Sequence, residues 1–316
     1  MQYRRLGNSG LKVSVVGLGC NNFGRAVSDP QQSARVVHRA MDLGVNFIDT
    51  ADVYGQGLSE EHLGVALAGR RDAAILATKV GMTMGKDPND RGSSRFHIMA
   101  GVEASLRRLQ MDYIDLYQIH RWDAETPVEE TMSALDDLVR QGKVRYIGCS
   151  NYTAWQLVWS QWVSDRRGWT PFVSVQPEYS LLYRGLEPEL LPACQTFGIG
   201  VIPFFPLAGG MLTGKYREGE PAPAGTRGAN AERFARFTAP RNFAIVRRLE
   251  AWVKERGHTL TELAIAWLAA RPAVATVITG ATKVQQIEAN VKAVEWTLTP
   301  AEVEEVAALA PLERAA

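Results

Sequence analysis

The run Asp112-Tyr113-Ile114-Asp115-Leu116-Tyr117-Gln118-Ile119-His120, the amphipathic stretch 128–140 and the run Val144-Arg145-Tyr146-Ile147-Gly148-Cys149-Ser150-Asn151 together decide the fold. Short runs rich in β-branched and aromatic residues read as strands, and the stretch between them has apolar positions at helical spacing. A helix between two strands is the connection that parallel pairing requires. The same alternation recurs on both sides. Residues 14–20, 46–51 and 73–80 precede this unit and 172–178, 200–207 and 275–280 follow it, which makes eight strand candidates. Stretches 31–43, 60–68, 98–109 and 153–165 supply helices between them. This order predicts an α/β fold, a (β/α)8 TIM barrel, with residues 1–316 as a single domain. A doubly wound open sheet has a similar element order, so strand counting leaves it as a rival.

Several segments fall outside the repeat. Residues 3–13 carry Gly7-Asn8-Ser9-Gly10 between short alternating runs, an N-terminal β-hairpin expected to plug one end of the barrel. Residues 208–241 run far beyond the ~2–6 residues usual for such a connection. Their cations Lys215, Arg217, Arg227, Arg233, Arg236 and Arg241 outnumber the glutamates, so the segment reads either as a solvated loop or as a lid over a phosphate-bearing ligand. Residues 300–309 predict an extra C-terminal helix. Trp155, Trp159 and Trp162 recur at i, i+4 and i+7 on one helix, a stripe expected to pack in the core.

Composition narrows the partners. Lys plus Arg number 35 against 34 Asp plus Glu, which gives no broad field to attract nucleic acid or an anionic membrane. Cys20, Cys149 and Cys194 are odd in number and widely spaced, as in a reducing cytoplasm, and no metal-type cluster of Cys or His occurs. The N-terminus lacks the apolar stretch of a signal peptide. A small-molecule substrate is expected, an oligomer is compatible with the sequence, and the expected location is the cytoplasm.

In a parallel barrel the C-terminal ends of all strands open on one face, so polar residues that end several strands converge. Asp49 ends the second strand, Lys79 the third, His120 the fourth, Ser150 and Asn151 the fifth and Gln176 the sixth, with Tyr54 in the loop after Asp49. Singly, each has an ordinary structural explanation. Together they point to chemistry. Lys79 lies in the apolar run Ile75-Leu76-Ala77-Thr78-Lys79-Val80, where a lone ammonium is costly, and Asp49 on the adjacent strand is its natural partner. A tyrosine near Lys79 is expected to have its pKa lowered, which would make Tyr54 a usable acid. His120 can donate a hydrogen bond to a carbonyl oxygen on which charge develops. A dinucleotide fingerprint is rejected, since Gly17-Leu18-Gly19 is followed by Asn22 where a third glycine should stand. Asp123, Glu125 and Glu129 surround Pro127 at a helix start and read as caps on its dipole.

Asp49-Thr50-Ala51-Asp52-Val53-Tyr54-Gly55 with Ser59-Glu60, then Ala77-Thr78-Lys79-Val80, Asp115-Leu116-Tyr117-Gln118-Ile119-His120 and Gly142-Lys143-Val144-Arg145-Tyr146-Ile147-Gly148-Cys149-Ser150-Asn151 resemble, in order, the segments of the aldo-keto reductase superfamily. The pattern is that of its bacterial and channel beta-subunit-like branch, and the likeness extends over essentially the whole chain. It implies the barrel as fold, Asp49, Tyr54, Lys79 and His120 as catalytic tetrad, and NADPH-dependent reduction of aldehydes or ketones. It also leaves open a subunit that binds cofactor with little turnover, or a sugar or alcohol dehydrogenase working oxidatively.

The resemblance further implies a nicotinamide cofactor held without a dinucleotide-fingerprint domain. Cys20 and Asn21 match positions near the nicotinamide ribose. Ser150, Asn151 and Gln176 match those that hold the carboxamide, and Phe204 the ring that stacks on the nicotinamide. Pro206, Leu207, Gly209, Lys215 and Arg227 match the pyrophosphate region and its covering loop; Gly280, Thr282, Lys283, Gln286 and Asn290 match the adenosine end. Phe205 departs from a frequent serine, and Gln286 from an arginine that reads the 2′-phosphate in some members. Thr282, Lys283 or Arg227 would then make that contact, and NADH is the alternative to NADPH. Phe23, Tyr54, Met82, His120 and Trp122 are the expected substrate-pocket residues.

Overall fold

The computed structural model describes residues 1–223, 225–226, 228 and 231–312. Strands β1 (Tyr3–Arg5) and β2 (Lys12–Ser14) pair antiparallel, Tyr3 opposite Ser14. Their turn lies against the barrel floor: a Cβ at Gly7, where φ is +57°, would come 2.5 Å from the carbonyl oxygen of Gly198. Only glycine fits both the backbone angle and that approach. Leu6 and Val13 are wholly buried with Phe47, Ala77, Leu116 and Ile202, so the hairpin closes one end of the barrel as expected.

The eight expected strands form one parallel sheet: β3 (Val16–Gly19), β4 (Phe47–Asp49), β5 (Ile75–Val80), β6 (Ile114–Ile119), β7 (Val144–Ser150), β8 (Phe172–Gln176), β9 (Gly200–Val201) and β10 (Val277–Gly280). Its spatial order is β10-β3-β4-β5-β6-β7-β8-β9. The two edges then meet. Val201 donates to the Ala273 carbonyl at 2.8 Å, Ala275 donates back to Val201 at 2.9 Å, and Ile278 donates to Pro203 at 3.1 Å. These parallel contacts close the sheet on itself and dispose of the open-sheet rival. β9 is shorter than the predicted 200–207, because Pro203 and Pro206 have no N–H to give a ladder.

Helices α1 (Pro30–Asp42), α2 (Leu58–Leu67), α3 (Arg95–Leu109), α4 (Val128–Arg140), α5 (Ala154–Arg167), α6 (Leu190–Phe197), the single turn α7 (Ala231–Phe234), α8 (Pro240–Lys254), α9 (Leu260–Ala269), α10 (Val284–Lys292) and α11 (Pro300–Leu309) surround the sheet. Their ends are written locally. Asp29 caps the first amides of α1, with Pro30 at the first helical position, and Thr259 with Glu262 forms a reciprocal box at α9. The expected C-terminal helix is α11, capped in the same way by Thr299 and Glu302. The described part of the long segment 208–241 is packed rather than a solvated loop: Met211, Leu212, Tyr216, Phe234 and Phe237 are buried. Among the described residues no helix is long and apolar enough to cross a membrane.

One expectation is reversed. Trp155, Trp159 and Trp162 are 60%, 49% and 50% exposed, so the stripe is on the outside of α5. Leu157, Ser160, Val163 and Ser164 form the buried face. Helical spacing says that residues share a face but not which face turns inward, and here the small serines let the helix approach the sheet.

Candidate active site

The site lies where β4, β5 and β6 end. Lys79, wholly buried on β5, donates from Nζ to Asp49 Oδ2 at 2.7 Å and to the Thr50 carbonyl at 2.7 Å. Asp49 Oδ1 accepts from Gln176 Nε2 at 2.8 Å and from Gln118 Nε2 at 3.3 Å. Each buried charge therefore has its counter-charge and its lone pairs or protons engaged, the condition under which such a pair is tolerated. The expected Lys79–Asp49 partnership is present. Burial favours loss of the Lys79 proton, but Asp49, then Tyr54, outweigh it and leave the pKa raised.

Tyr54 stands over this pair, with the Lys79 ammonium 5.1 Å from its ring centroid. The direction of its pKa corrects the sequence expectation. Burial pushes the phenol up, Lys79 pulls it down, Asp49 pushes it up again, and the net pKa lies above 10. Lys79 moderates the rise rather than producing a fall, so Tyr54 is protonated at neutral pH. The His120 ring meets Tyr54 edge-on, with centroids 5.8 Å apart. Burial first, then Lys79 and Arg121, lower its pKa to about 3, so the imidazole is neutral; its Nδ1 is buried without a partner. A protonated phenol and a neutral imidazole beside one fixed ammonium can together donate hydrogen bonds to an oxygen that gains charge.

Several supporting residues were not singled out from sequence. Gln118 bridges Asp49 and Gln176; alternation along β6 puts it on the same inward face as Leu116 and His120, which was the available signal. Glu60, wholly buried, accepts from Thr78 Oγ1 at 2.6 Å and from Arg108 Nε at 2.7 Å, tying α2 and α3 to β5. Ser59 bonds Thr50 and the Cys20 carbonyl at 2.8 and 2.9 Å, which fixes the chain after Tyr54. Asp52 is 2% exposed with Oδ2 unpartnered. Burial, then Glu60, raises its pKa to about 7. No local pattern announced these contacts, because Thr78 and Arg108 are distant in sequence.

Three of the residues expected to hold cofactor, Ser150, Asn151 and Gln176, stand together at the ends of β7 and β8. Ser150 Oγ donates to the Gln176 carbonyl at 2.8 Å, and Asn151 Nδ2 donates to the His120 carbonyl at 3.0 Å, joining β6, β7 and β8. Asn151, Phe205 and Ala208 hold φ of 57°, 54° and 47°, left-handed values that cost non-glycine residues energy and concentrate at binding sites. Phe204 is half-buried, its ring edge-on to Phe205 at 5.3 Å. Pro206 is buried and Leu207 half-buried; Gly209 takes φ of +68°, and exposed Lys215 lies near Gly210. A partly open ring, a turn that only such backbone can make and an exposed ammonium fit a stacked nicotinamide followed by a pyrophosphate. At the far end Gln286 Oε1 accepts from Thr282 N, Thr282 Oγ1 and Lys283 N at 2.7, 3.0 and 3.2 Å. Gln286 thus shapes the loop, leaving the exposed Lys283 side chain available; Gly280 is exposed and Asn290 buried beside them. Cys20 is wholly buried and Asn21 half-buried. Arg227 lies outside the described residues.

Of the expected pocket residues, Met82 and Trp122 are half-buried at the rim, Trp122 with its ring edge-on to Tyr152 and Trp155. Phe23 departs from expectation: its side chain is entirely within the core. Asp123 is a structural acceptor, taking Ser93 N at 2.8 Å and Thr126 Oγ1 at 2.6 Å, but it does not cap α4 as read, since no side chain among the described residues bonds that helix's first amides.

The Aldo/keto reductase family profile matches residues 15–311. The chain is 41% identical over 98% of its length, and 96% of the other, to a protein named "Probable voltage-gated potassium channel subunit beta" from Oryza sativa subsp. japonica. It is 39% identical to "Uncharacterized oxidoreductase YrpG" of Bacillus subtilis (strain 168), over 94% of this chain and 92% of that one. It is 37% identical to "L-glyceraldehyde 3-phosphate reductase" of Escherichia coli (strain K12), over 93% of this chain and 87% of that one.

Proposed function

The chain belongs to the aldo/keto reductase family and is an oxidoreductase acting on carbonyl and alcohol groups, and from that premise we propose that it reduces aldehydes or ketones to alcohols with NADPH, Tyr54 serving as the general acid. The observation that carries the proposal is the wholly buried Lys79, held by Asp49 and lying 5.1 Å from the Tyr54 ring.

Bound reduced nicotinamide supplies the hydride. His120, neutral, donates a hydrogen bond to the carbonyl oxygen and orients the carbon for hydride addition. Tyr54 Oη gives its proton to that oxygen as the C–O bond becomes single. The phenolate left behind lies beside the Lys79 ammonium, whose charge Asp49 holds in place. Atoms and charge balance, since one hydride and one proton convert the carbonyl to an alcohol. The same groups run backwards for alcohol oxidation.

Ser150, Asn151 and Gln176 would hold the carboxamide, Phe204 the nicotinamide face, and Lys215 with the 206–210 turn the pyrophosphate. Lys283, left unengaged by the bonds Gln286 makes to its loop, would meet the 2′-phosphate and favour NADPH over NADH. Fluorescence titration should show tighter binding of NADPH than NADH, and Lys283→Ala should bring the two together; equal affinities in wild type would remove the NADPH assignment. The relatives named as channel subunits favour one competing reading, a cofactor-binding subunit. Turnover of any member of a panel of small aldehydes decides against it, and tight NADPH binding with no turnover decides for it.

A further inference from the structure

Three polar side chains meet inside the barrel, where apolar ones are the rule. β4, β6 and β8 are alternate strands, and the inward residues of alternate strands share a layer that branched apolar side chains ordinarily fill. Here Asp49 of β4, Gln118 of β6 and Gln176 of β8 come together, all buried and Gln118 wholly so. Gly148 on β7 stands opposite Gln118 in register and leaves the path to β8 open. A Cβ at Gly148 would lie 2.5 Å from Ser174 Oγ and 3.4 Å from Gln118 Cγ. An amide at this depth costs free energy unless its groups are engaged, and Asp49 already has the Lys79 ammonium as its counter-charge.

The protons available decide what this layer presents. The Asp49 carboxylate only accepts, so both amides must offer it N–H, which fixes the end of each that is nitrogen. Gln176 Nε2 has two protons to give. One goes to Asp49 Oδ1 at 2.8 Å and the other to Gln118 Oε1 at 3.3 Å. Gln118 Nε2 closes the triangle by donating to Asp49 Oδ1 at 3.3 Å. Ser150 Oγ holds the main chain of Gln176 by donating to its carbonyl at 2.8 Å, so only the Gln176 side chain is free to turn. Gln176 thus has no proton left, and only Oε1, which has no partner among the described residues, remains to meet a ligand.

From this bonding we propose that Gln118 is a positioning residue for the nicotinamide: by taking the second amide proton of Gln176 it keeps that side chain with its oxygen toward the cofactor, as an acceptor for the carboxamide NH2. The proposal rests on the nicotinamide reading of the site. Without Gln118 the second proton is orphaned, and the Gln176 amide gains by turning to offer N–H to the cofactor instead. A Gln118 that only filled space or only held Asp49 would leave the choice between donor and acceptor untouched. Quenching of tryptophan emission by NADP+ and by its 3-acetylpyridine analogue, in which a methyl group replaces the carboxamide NH2, reads that choice without turnover. Wild type should bind the analogue about tenfold or more weakly, and Gln118→Met, which keeps the volume, should narrow the difference to about threefold or less. Gln118→Leu, a residue type ordinary in a barrel layer, repeats the comparison should methionine fail to pack. Equal affinities for the two dinucleotides in wild type, or an undiminished preference in either folded variant, overturn the proposal while leaving the nicotinamide reading in place. Binding of neither dinucleotide by wild type overturns that reading and the proposal with it.

Discussion

Asp52 should cost the folded protein stability at neutral pH, and Asp52→Asn should restore it. The carboxylate is 2% exposed; Oδ1 accepts the Val53 amide at 2.6 Å, and Oδ2 is buried without a partner. Glu60 on α2 raises its pKa further after burial, while Arg108 on α3 and Lys79 on β5 pull the other way, and the Tyr117 hydroxyl on β6 is also buried without a partner. The net value is about 7, against an ordinary 3.8. Because the folded pKa is raised, the folded state holds this proton more tightly than the unfolded chain does. The resulting stabilisation is fully present below about pH 4 and is lost as pH rises through about 7. The whole span corresponds to about 4 kcal/mol, and the part between pH 5 and pH 8 to about 3 kcal/mol. Asparagine keeps an acceptor for Val53 N–H and has no charge to desolvate. Urea midpoints of wild type and Asp52→Asn, measured at pH 5 and pH 8, should therefore diverge at the higher pH in favour of the variant. Groups shared by both proteins cancel in the comparison. An offset identical at the two pH values would refute the reasoning, since it would mean that Asp52 carries no proton of its own in this range.

Other expectations follow from the same contacts. Lys79→Met leaves Asp49 buried without its counter-charge and should lower stability by about 3–5 kcal/mol as well as suppress carbonyl reduction; an unaltered urea midpoint contradicts the buried pair. With a pKa of about 3, the His120 ring stays neutral through the physiological range, so a kcat/KM pH profile should have no inflection near 6.5 that His120→Asn removes; finding one would show that the imidazolium takes part. Gly7→Ala should destabilise by about 1–3 kcal/mol, because the new Cβ meets the Gly198 carbonyl at a backbone angle alanine resists; a wild-type melting temperature would show that the hairpin yields.

The barrel was legible because parallel strands buried on both faces are written as short apolar runs, and the crossover helices between them have a different period. The clustering of Asp49, Lys79 and His120 was legible because these polar residues interrupt those runs at strand ends, while Tyr54 had to be read from the loop after Asp49. Where reading failed, the deciding quantity was a balance rather than a pattern. The pKa of Tyr54 depends on burial against the charge of Lys79, and burial wins. The tryptophans of α5 share a face by spacing, but which face turns inward depends on small residues opposite them. Asp52 lies within the stretch 49–55, yet its environment also depends on Arg108 of α3, far off in sequence, as well as on nearby Glu60. Pro203 and Pro206 could have shortened β9 in advance, since neither can donate to a ladder.

The central claim is that Tyr54 delivers the proton, and single-turnover reduction of a small aldehyde by the NADPH-loaded protein tests it most directly in wild type and Tyr54→Phe. Phenylalanine keeps the ring over Lys79 and removes only the hydroxyl, so NADPH affinity should stay near the wild-type value while the rate of cofactor oxidation falls by about 10²–10⁴-fold. Equal rates in the two proteins, with cofactor bound equally well, would contradict the account.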